Sequence, residues 1–334
     1  MAEVYTYSND LVSTKIFWQN DIVTADAAVL VDIYDVQKNL DVYSSTDPSY
    51  VETLLLANRS ASQSEVDAGT YLVELPRSIT TSTRDLRLHW KYSINGTSTA
   101  HDSYCNIVTP YCSLAEAMED LGLGSDASDP NYKTYHQLRM AEKYARKIIE
   151  NYTGQQFYLY EDVYVGYGAG TDIMPMPFKL NELYELYEDD IILINNEVSP
   201  VVNNWNYIPL ISETGFGLRV DKSSYLDNTV YTANGLVPPT INDIGNGGAF
   251  KRNSRYRIRG MFGWSDIPGN VEEACVILMG EYFSKDSTWR NKYVQNVQSF
   301  DWQFEYFGDA FRGTGNLYVD QLLQPYVITN MLVV

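Results

Sequence analysis

The spacing of apolar residues changes at Thr109-Pro110, from every second position to every third or fourth, and this switch limits the possible folds more than any other feature. Ahead of it, Leu86-Arg87-Leu88-His89-Trp90-Lys91-Tyr92 alternates apolar and polar side chains strictly. Successive side chains of a strand point to opposite faces, so this is the pattern of a strand with one buried face. Asn95-Gly96 follows it, the dipeptide best suited to a two-residue hairpin turn. Further β-prone runs lie at 15–18, 28–34, 70–75, 85–92 and 103–108, each bounded by turn residues. Residues 1–108 therefore read as an all-β, sandwich-like domain. The stretch 47–56 is compatible with one short helix on its side.

Beyond the switch, Ser113-Leu114-Ala115-Glu116 reads as a capping box, and Gly122 as the stop of a short helix. Asp129-Pro130 reads as the start of a longer helix, with Asp129 at N-cap and Pro130 at N1. Leu138, Ala141, Ala145, Ile148, Ile149 and Tyr152 form its apolar stripe, a core face rather than a cofactor site, and Gly154 ends it. From 157 to about 264 the chain returns to β character. Residues 191–194 and 198–202 flank Asn195-Asn196-Glu197 as a hairpin, and 212–248, rich in Gly, Asn and Pro, reads as a long irregular excursion. Tyr256, Ile258 and Phe262 share one face of a strand, with Arg255, Arg257 and Arg259 on the other. A third helix is expected with Asn270 as cap and Glu273 at the capping-box position, carrying Val271, Ala274, Cys275, Leu278 and Tyr282 inward. Phe300, Trp302, Phe304 and Tyr306 alternate as a strand. A short helix over 317–323 precedes Pro325 and an uncharged, β-prone tail, 326–334. The expected class is α+β: the sandwich-like domain over 1–108, then a small helical bundle over 109–334 carrying the long β insertion.

Composition narrows the function. With 45% hydrophobic and 20% charged residues the chain is globular. Its net charge of −19 excludes general attraction to nucleic acid, whose phosphates it repels. It has 28 Tyr, 11 Phe and 6 Trp. Tyr combines an apolar ring with a polar tip and suits both subunit interfaces and exposed strand faces. Cys105, Cys112 and Cys275 include no C-x-x-C pair and read as free thiols of a reducing compartment. The opening MAEVYTYSND does not read as a signal peptide, and no apolar run is long enough to span a membrane.

Three phrases carry a family likeness: Ile149-Glu150-Asn151-Tyr152-Thr153-Gly154 at the end of the long helix, Tyr256-Arg257-Ile258-Arg259-Gly260-Met261-Phe262-Gly263-Trp264 at the end of the β insertion, and Ile267-Pro268-Gly269-Asn270-Val271-Glu272-Glu273-Ala274-Cys275 opening the next helix. In this order, from 111 onward and over roughly two-thirds of the chain, they resemble tailed-bacteriophage head–tail connector (adaptor, or head-completion) proteins. The N-terminal β domain and the length of the insertion depart from the shortest members. The resemblance implies a small helical bundle interrupted by a β insertion, in a structural virion protein that is not an enzyme. It would be a homo-oligomeric ring, typically a dodecamer, in the neck between the portal protein and the tail or tail-terminator protein. DNA would pass without specific binding, and assembly would take place in the host cytoplasm. It also implies that the tail, Tyr326, Val327, Ile328, Met331, Leu332, Val333 and Val334, reaches up to the portal by strand addition, with burial in its own domain as the rival. Deleting 326–334 is then expected to abolish head attachment. The alternative function is a virion surface module that recognises host glycans through its N-terminal β domain.

No chemistry emerges from the remaining motifs. His89, His101 and His136 show no metal-ligand spacing. Gly166-Tyr167-Gly168-Ala169-Gly170 lacks the following helix start that a phosphate cradle needs and reads as a hairpin tip. The acidic run 182–190 marks no catalytic pair. No catalytic residue, cofactor or metal is assigned. Arg255, Arg257 and Arg259 stand out in so acidic a chain and are candidates for a subunit interface, meeting a neighbour's carboxylates such as those of 182–190, or for contact with backbone phosphates, the alternative being a solvent-facing strand.

Overall fold

The computed structural model describes residues 2–19, 21–36, 52–124, 126–189, 191–195, 206–212, 215–221, 231–232, 235–236, 250–284, 296–298, 303–305 and 313–328. The fold is mixed α+β, with several sheets and, among the described residues, four helices. Contacts divide it into two compact units: residues 1–109, 159–212 and 216–262, and residues 110–158, 213–215 and 263–334.

The first unit opens with strands β1 (Ala2–Tyr5), β2 (Leu11–Lys15), β3 (Phe17–Trp18), β4 (Asp21–Ile22), β5 (Leu30–Val36), β6 (Glu52–Ser60), β7 (Ser62–Gln63), β8 (Thr70–Glu74), β9 (Arg84–Ile94) and β10 (Thr97–Val108). They build a five-stranded sheet, β1-β10-β9-β5-β6, and a three-stranded sheet, β2-β8-β7. The alternation in β9 does what the spacing predicts. Leu86, Leu88 and Trp90 are wholly buried, in one cluster with Val31 and Ile33 of β5 and with Val12, Tyr71 and Val73 of the smaller sheet. Burying each such side chain is worth about 1.5–3 kcal/mol. Trp90 keeps its one polar atom satisfied by donating from Nε1 to Ser103 Oγ at 2.8 Å. Ile94 pairs with Thr97 across Asn95-Gly96, whose φ angles of 50° and 73° are those of a type I′ turn.

The short helix expected over 47–56 is not found where the residues are described: 52–56 belong to β6. Leu54, Leu55 and Leu56 favour a helix, but β5 offers an edge of backbone donors and acceptors, and pairing from Val36↔Glu52 to Leu30↔Ser60 outweighs that preference. Residues 47–51 lie outside the described residues.

The insertion supplies β11 (Tyr160–Tyr167), β12 (Ile173–Met176), β13 (Leu180–Glu188), β14 (Ile191–Asn195), β15 (Asn206–Ser212), β16 (Gly215–Asp221), β17 (Tyr231–Thr232), β18 (Gly235–Leu236) and β19 (Arg255–Phe262). One sheet runs β11-β19-β13-β14 and another β12-β16-β15. Tyr256, Ile258 and Phe262 of β19 are buried on one face, as their spacing requires. The excursion read as irregular contains a regular element: β16 pairs with β12 and buries Leu218 completely, so sheet pairing overrides its glycines. The hairpin at 195–197 falls largely outside the described residues.

The second unit holds α1 (Leu114–Asp120), α2 (Tyr135–Thr153), α3 (Gly269–Phe283), the short strands β20 (Asn296–Gln298) and β21 (Gln303–Glu305), and α4 (Leu317–Leu323), which runs into a single 3-10 turn, Gln324–Tyr326. Ser113 Oγ accepts from Glu116 N and caps α1. Gly122, at φ 59°, ends it in a Schellman motif: Gly122 N–H bonds to Glu119 O, and Leu123 N–H to Met118 O. The long helix begins at Tyr135, later than the expected start at Pro130. Thr134 and Gln137 satisfy each other's backbone N–H in a reciprocal capping box, while the Asp129 carboxylate accepts from Asn131 N in a separate turn. Asp129 is thus spent on a local turn, and the box at Thr134 supplies the stronger cap. Gly154 closes α2 with φ 71°. α3 begins at Gly269, so Asn270 lies inside its first turn rather than at its cap. Pro268 is the N-cap in extended conformation, and its carbonyl accepts from Val271 N and Glu272 N. Val271, Ala274, Cys275, Leu278 and Met279 are buried, whereas Tyr282 remains exposed. α2 packs on α3, and α3 on α4. No described helix is long and apolar enough to cross a membrane.

Candidate functional site

Two candidate contact regions can be built from the residues upward: the arginine face of β19 and the start of the C-terminal tail. On β19, Arg255, Arg257 and Arg259 project from the face opposite the buried Tyr256 and Ile258. Register puts Glu185 and Tyr187 of β13 beside Arg259 and Arg257. Arg259 Nε donates to Glu161 Oε1 at 2.6 Å, and its Nη1 lies 3.4 Å from Glu185 Oε1. The Arg257 guanidinium sits 3.9 Å from the centre of the Tyr187 ring, a cation–π contact. Burial and then the Glu185 carboxylate push the Tyr187 hydroxyl above its ordinary pKa. The structure thus brings part of the acidic run onto the arginine row within one chain. Arg255 is the exposed member of the row. Its backbone N–H donates to Asp189 Oδ1 and its carbonyl accepts from Asp189 N, both at 2.8 Å. The first of these bonds holds the Asp189 carboxyl below its usual value.

The tail is described as far as Ile328. Ile328 N–H donates to Thr153 O at 3.0 Å, at the end of α2, and Gln155 Nε2 donates to Tyr326 O. The Tyr326 ring meets Phe157 and Trp264 edge-on, with centroids 5.4 and 5.5 Å away. Trp264 Nε1 in turn donates to Gln155 Oε1 at 3.1 Å. Tyr326, Val327 and Ile328 are half-buried. Met331, Leu332, Val333 and Val334 lie outside the described residues.

The histidines do not converge. His89 Nδ1 lies 2.7 Å from Asp102 Oδ1, His101 stacks on Trp90 with Nε2 2.8 Å from Thr14 Oγ1, and His136 is exposed on α2. Among the described residues no three His, Cys, Asp or Glu side chains gather as a metal site. The glycine loop is a packed connection: a Cβ on Gly168 would stand 2.1 Å from the Lys251 carbonyl oxygen. Cys112 Sγ and Cys275 Sγ are in contact at 3.6 Å, both buried. A groove of about 510 Å3 beside β6 is lined, among the described residues, by Leu11, Leu56, Arg59, Ser60, Leu72 and Glu74 among others.

Sequence reasoning missed the charged heart of the helical unit. Glu142 and Arg146 are fully buried, and Arg146 Nε donates to Glu142 Oε1 at 3.1 Å. Tyr111 N–H donates to the same oxygen at 3.1 Å, and Tyr111 OH donates to Glu150 Oε1 at 3.2 Å. Burial, then the Glu150 charge, raises the Tyr111 hydroxyl well above its ordinary pKa. One signal was available: Glu142 stands four residues after Leu138 and three before Ala145, in phase with the apolar stripe.

No protein-family model matches this sequence, and no curated protein matches it. Among solved structures, one titled "Neck of empty GTA particle computed with C6 symmetry" is similar at a TM-score of 0.35 and 14% identity, over 67% of this chain and 93% of that one.

Proposed function

We propose that this chain is a structural subunit of a tailed-phage neck. It assembles with copies of itself into a ring, a dodecamer on the family plan, between the portal protein and the tail or tail-terminator protein. The observation that carries this reading is the fit between sequence phrases and elements. The phrase at 149–154 is the end of α2, the phrase at 256–264 contains most of β19, and the phrase at 267–275 opens α3. A β insertion thus leaves and rejoins the chain between two helices that pack on each other, which is the plan the resemblance implies. The net charge of −19 supports a ring that lets DNA pass without holding it. The finished protein then resides in the virion neck, after assembly in the host cytoplasm. Arg255 and the tail are the contact candidates.

Native mass spectrometry of the full chain, followed by electron microscopy of virions, tests the reading. A closed ring of defined stoichiometry located at the neck is the expected result. A monomer at every concentration, absent from the neck, overturns it.

A further inference from the structure

Three apolar side chains stand exposed at one end of the β2-β8-β7 sheet. Phe17 and Ile22 are cross-strand partners in the β3-β4 hairpin and so share a face, 55% and 48% exposed. The loop 64–69 lies against this hairpin: Ile16 N–H donates to Gly69 O at 3.0 Å, and a Cβ on Gly69 would stand 2.5 Å from Ile22 Cγ2. Val66, in that loop, is 91% exposed. A single exposed apolar residue is ordinary, but three on one tip mark a contact surface. Exposed charges flank them in sequence: Lys15 before Phe17, Asp21 beside Ile22, and Glu65 and Asp67 on either side of Val66. Among the described residues none of these four forms an ion pair.

The groove beside β6 lies toward the other end of the same strands. β2 and β8 pair from Lys15↔Thr70, next to the tip, to Leu11↔Glu74, which line the groove. At about 3.4 Å per residue these ends are about 14 Å apart. The groove has a topological cause. Up to Ser60 the chain pairs with β5 in the larger sheet, and from Ser62 it pairs with β8 in the smaller one. The sheets part at this changeover, and Leu11, Leu56 and Leu72 line the opening with the exposed cation Arg59. Among the described residues neither Arg59 nor Glu74 forms an ion pair.

We propose that the tip of one copy seats in the groove of the next, so that the N-terminal β domains associate head to tail. Phe17, Ile22 and Val66 leave water against Leu11, Leu56 and Leu72. The tip carboxylates meet Arg59, and Lys15 answers Glu74. Charge favours a second copy as the occupant: the tip is mainly acidic, and the groove offers it a cation in a chain of net charge −19. At about 510 Å3 the groove falls within the roughly 300–1,000 Å3 of sites that enclose small ligands, room for a few side chains. The two surfaces differ, so each copy offers its tip to one neighbour and its groove to the other. Such heterologous contacts close into rings when the rotation between copies permits. The inference rests on the ring reading above and names one contact within that ring.

The test uses two full-length variants altered at exposed side chains, Val66→Asp on the tip and Arg59→Glu in the groove, with Val66→Ser as a milder tip variant. Melting curves should match wild type. By sedimentation velocity, each variant alone should assemble at least tenfold more weakly than wild type, and Arg59→Glu should be more impaired at low salt than at high. At a concentration where each alone is monomeric, an equal mixture should form dimers and nothing larger. One intact tip then faces one intact groove, and the remaining tip and groove are both defective. Variants that assemble as wild type does overturn the proposal and leave the ring reading standing. Impaired variants that fail to pair in the mixture also overturn it, since the contact is then not head to tail. Wild type that stays monomeric at every concentration overturns both.

Discussion

Glu142 and Arg146 meet inside the helical unit with neither side chain exposed to solvent. Two charges one turn apart on α2 have left water together, and Tyr111 supplies a further backbone donor to Glu142. Removing one partner strands the other charge. Arg146→Met should cost about 3–5 kcal/mol of stability, whereas Glu142→Leu with Arg146→Met should recover most of that loss. Urea denaturation of the single and double variants checks this. Equal losses in both would show that the pair is not coupled.

The apolar stripe of α2 distinguishes adjacent residues. Ile149 is completely buried, whereas Ile148 is not among the buried core residues. Ile149→Ala should therefore cost about 2–5 kcal/mol, and Ile148→Ala distinctly less. Thermal melts of the two variants give the order, and the reverse order would contradict the orientation of α2.

For the tail, Tyr326 and the residues beyond 328 are tested separately. Tyr326→Ala removes two edge-on aromatic contacts, each worth roughly 0.5–1.5 kcal/mol beyond the area they bury, and should lower the melting temperature. Deleting 329–334 should, under the neck proposal, abolish co-sedimentation with portal-bearing heads. Full attachment of the truncated chain defeats the portal role.

His101 should make stability depend on pH. Burial holds its imidazole below the ordinary 6.5, with Asp102 opposing and His89 reinforcing the effect. The unfolded chain then binds a proton that the folded chain refuses. The stability from neutral His101 is complete above about pH 6.5 and is lost as pH falls through the folded value. Melting temperatures of wild type and His101→Gln, measured side by side, should differ in slope below about pH 6.5 and run parallel above it.

Arg255 and Arg259 separate association from stability. Arg259→Glu breaks pairs with Glu161 and Glu185 in its own sheet and should destabilise the monomer. Arg255→Glu should leave the melting curve alone and weaken ring formation, more at low salt than at high, since exposed charges are screened. Sedimentation velocity at two salt concentrations reads the second effect; assembly unaltered at both returns Arg255 to a solvated role.

By itself the sequence determined those features whose cause is local. The alternation from Leu86 to Tyr92, the Asn95-Gly96 turn, the caps at Ser113 and Gly154 and the span of the 317–323 helix could all be read from neighbours a few residues apart, because strand pleat, turn φ and helix capping depend on nothing further away. Only the tertiary structure decided the rest. Residues 52–56 became strand because β5 presents an open edge to them. The partners of Arg257 and Arg259 follow from the registers of β13 and β11 against β19, strands far apart in sequence. The phase of Glu142 with the apolar stripe is local, but its partner Tyr111 arrives from outside α2. In each case the deciding energy is a contact that adjacent residues do not specify, and no local pattern encodes which distant group will arrive.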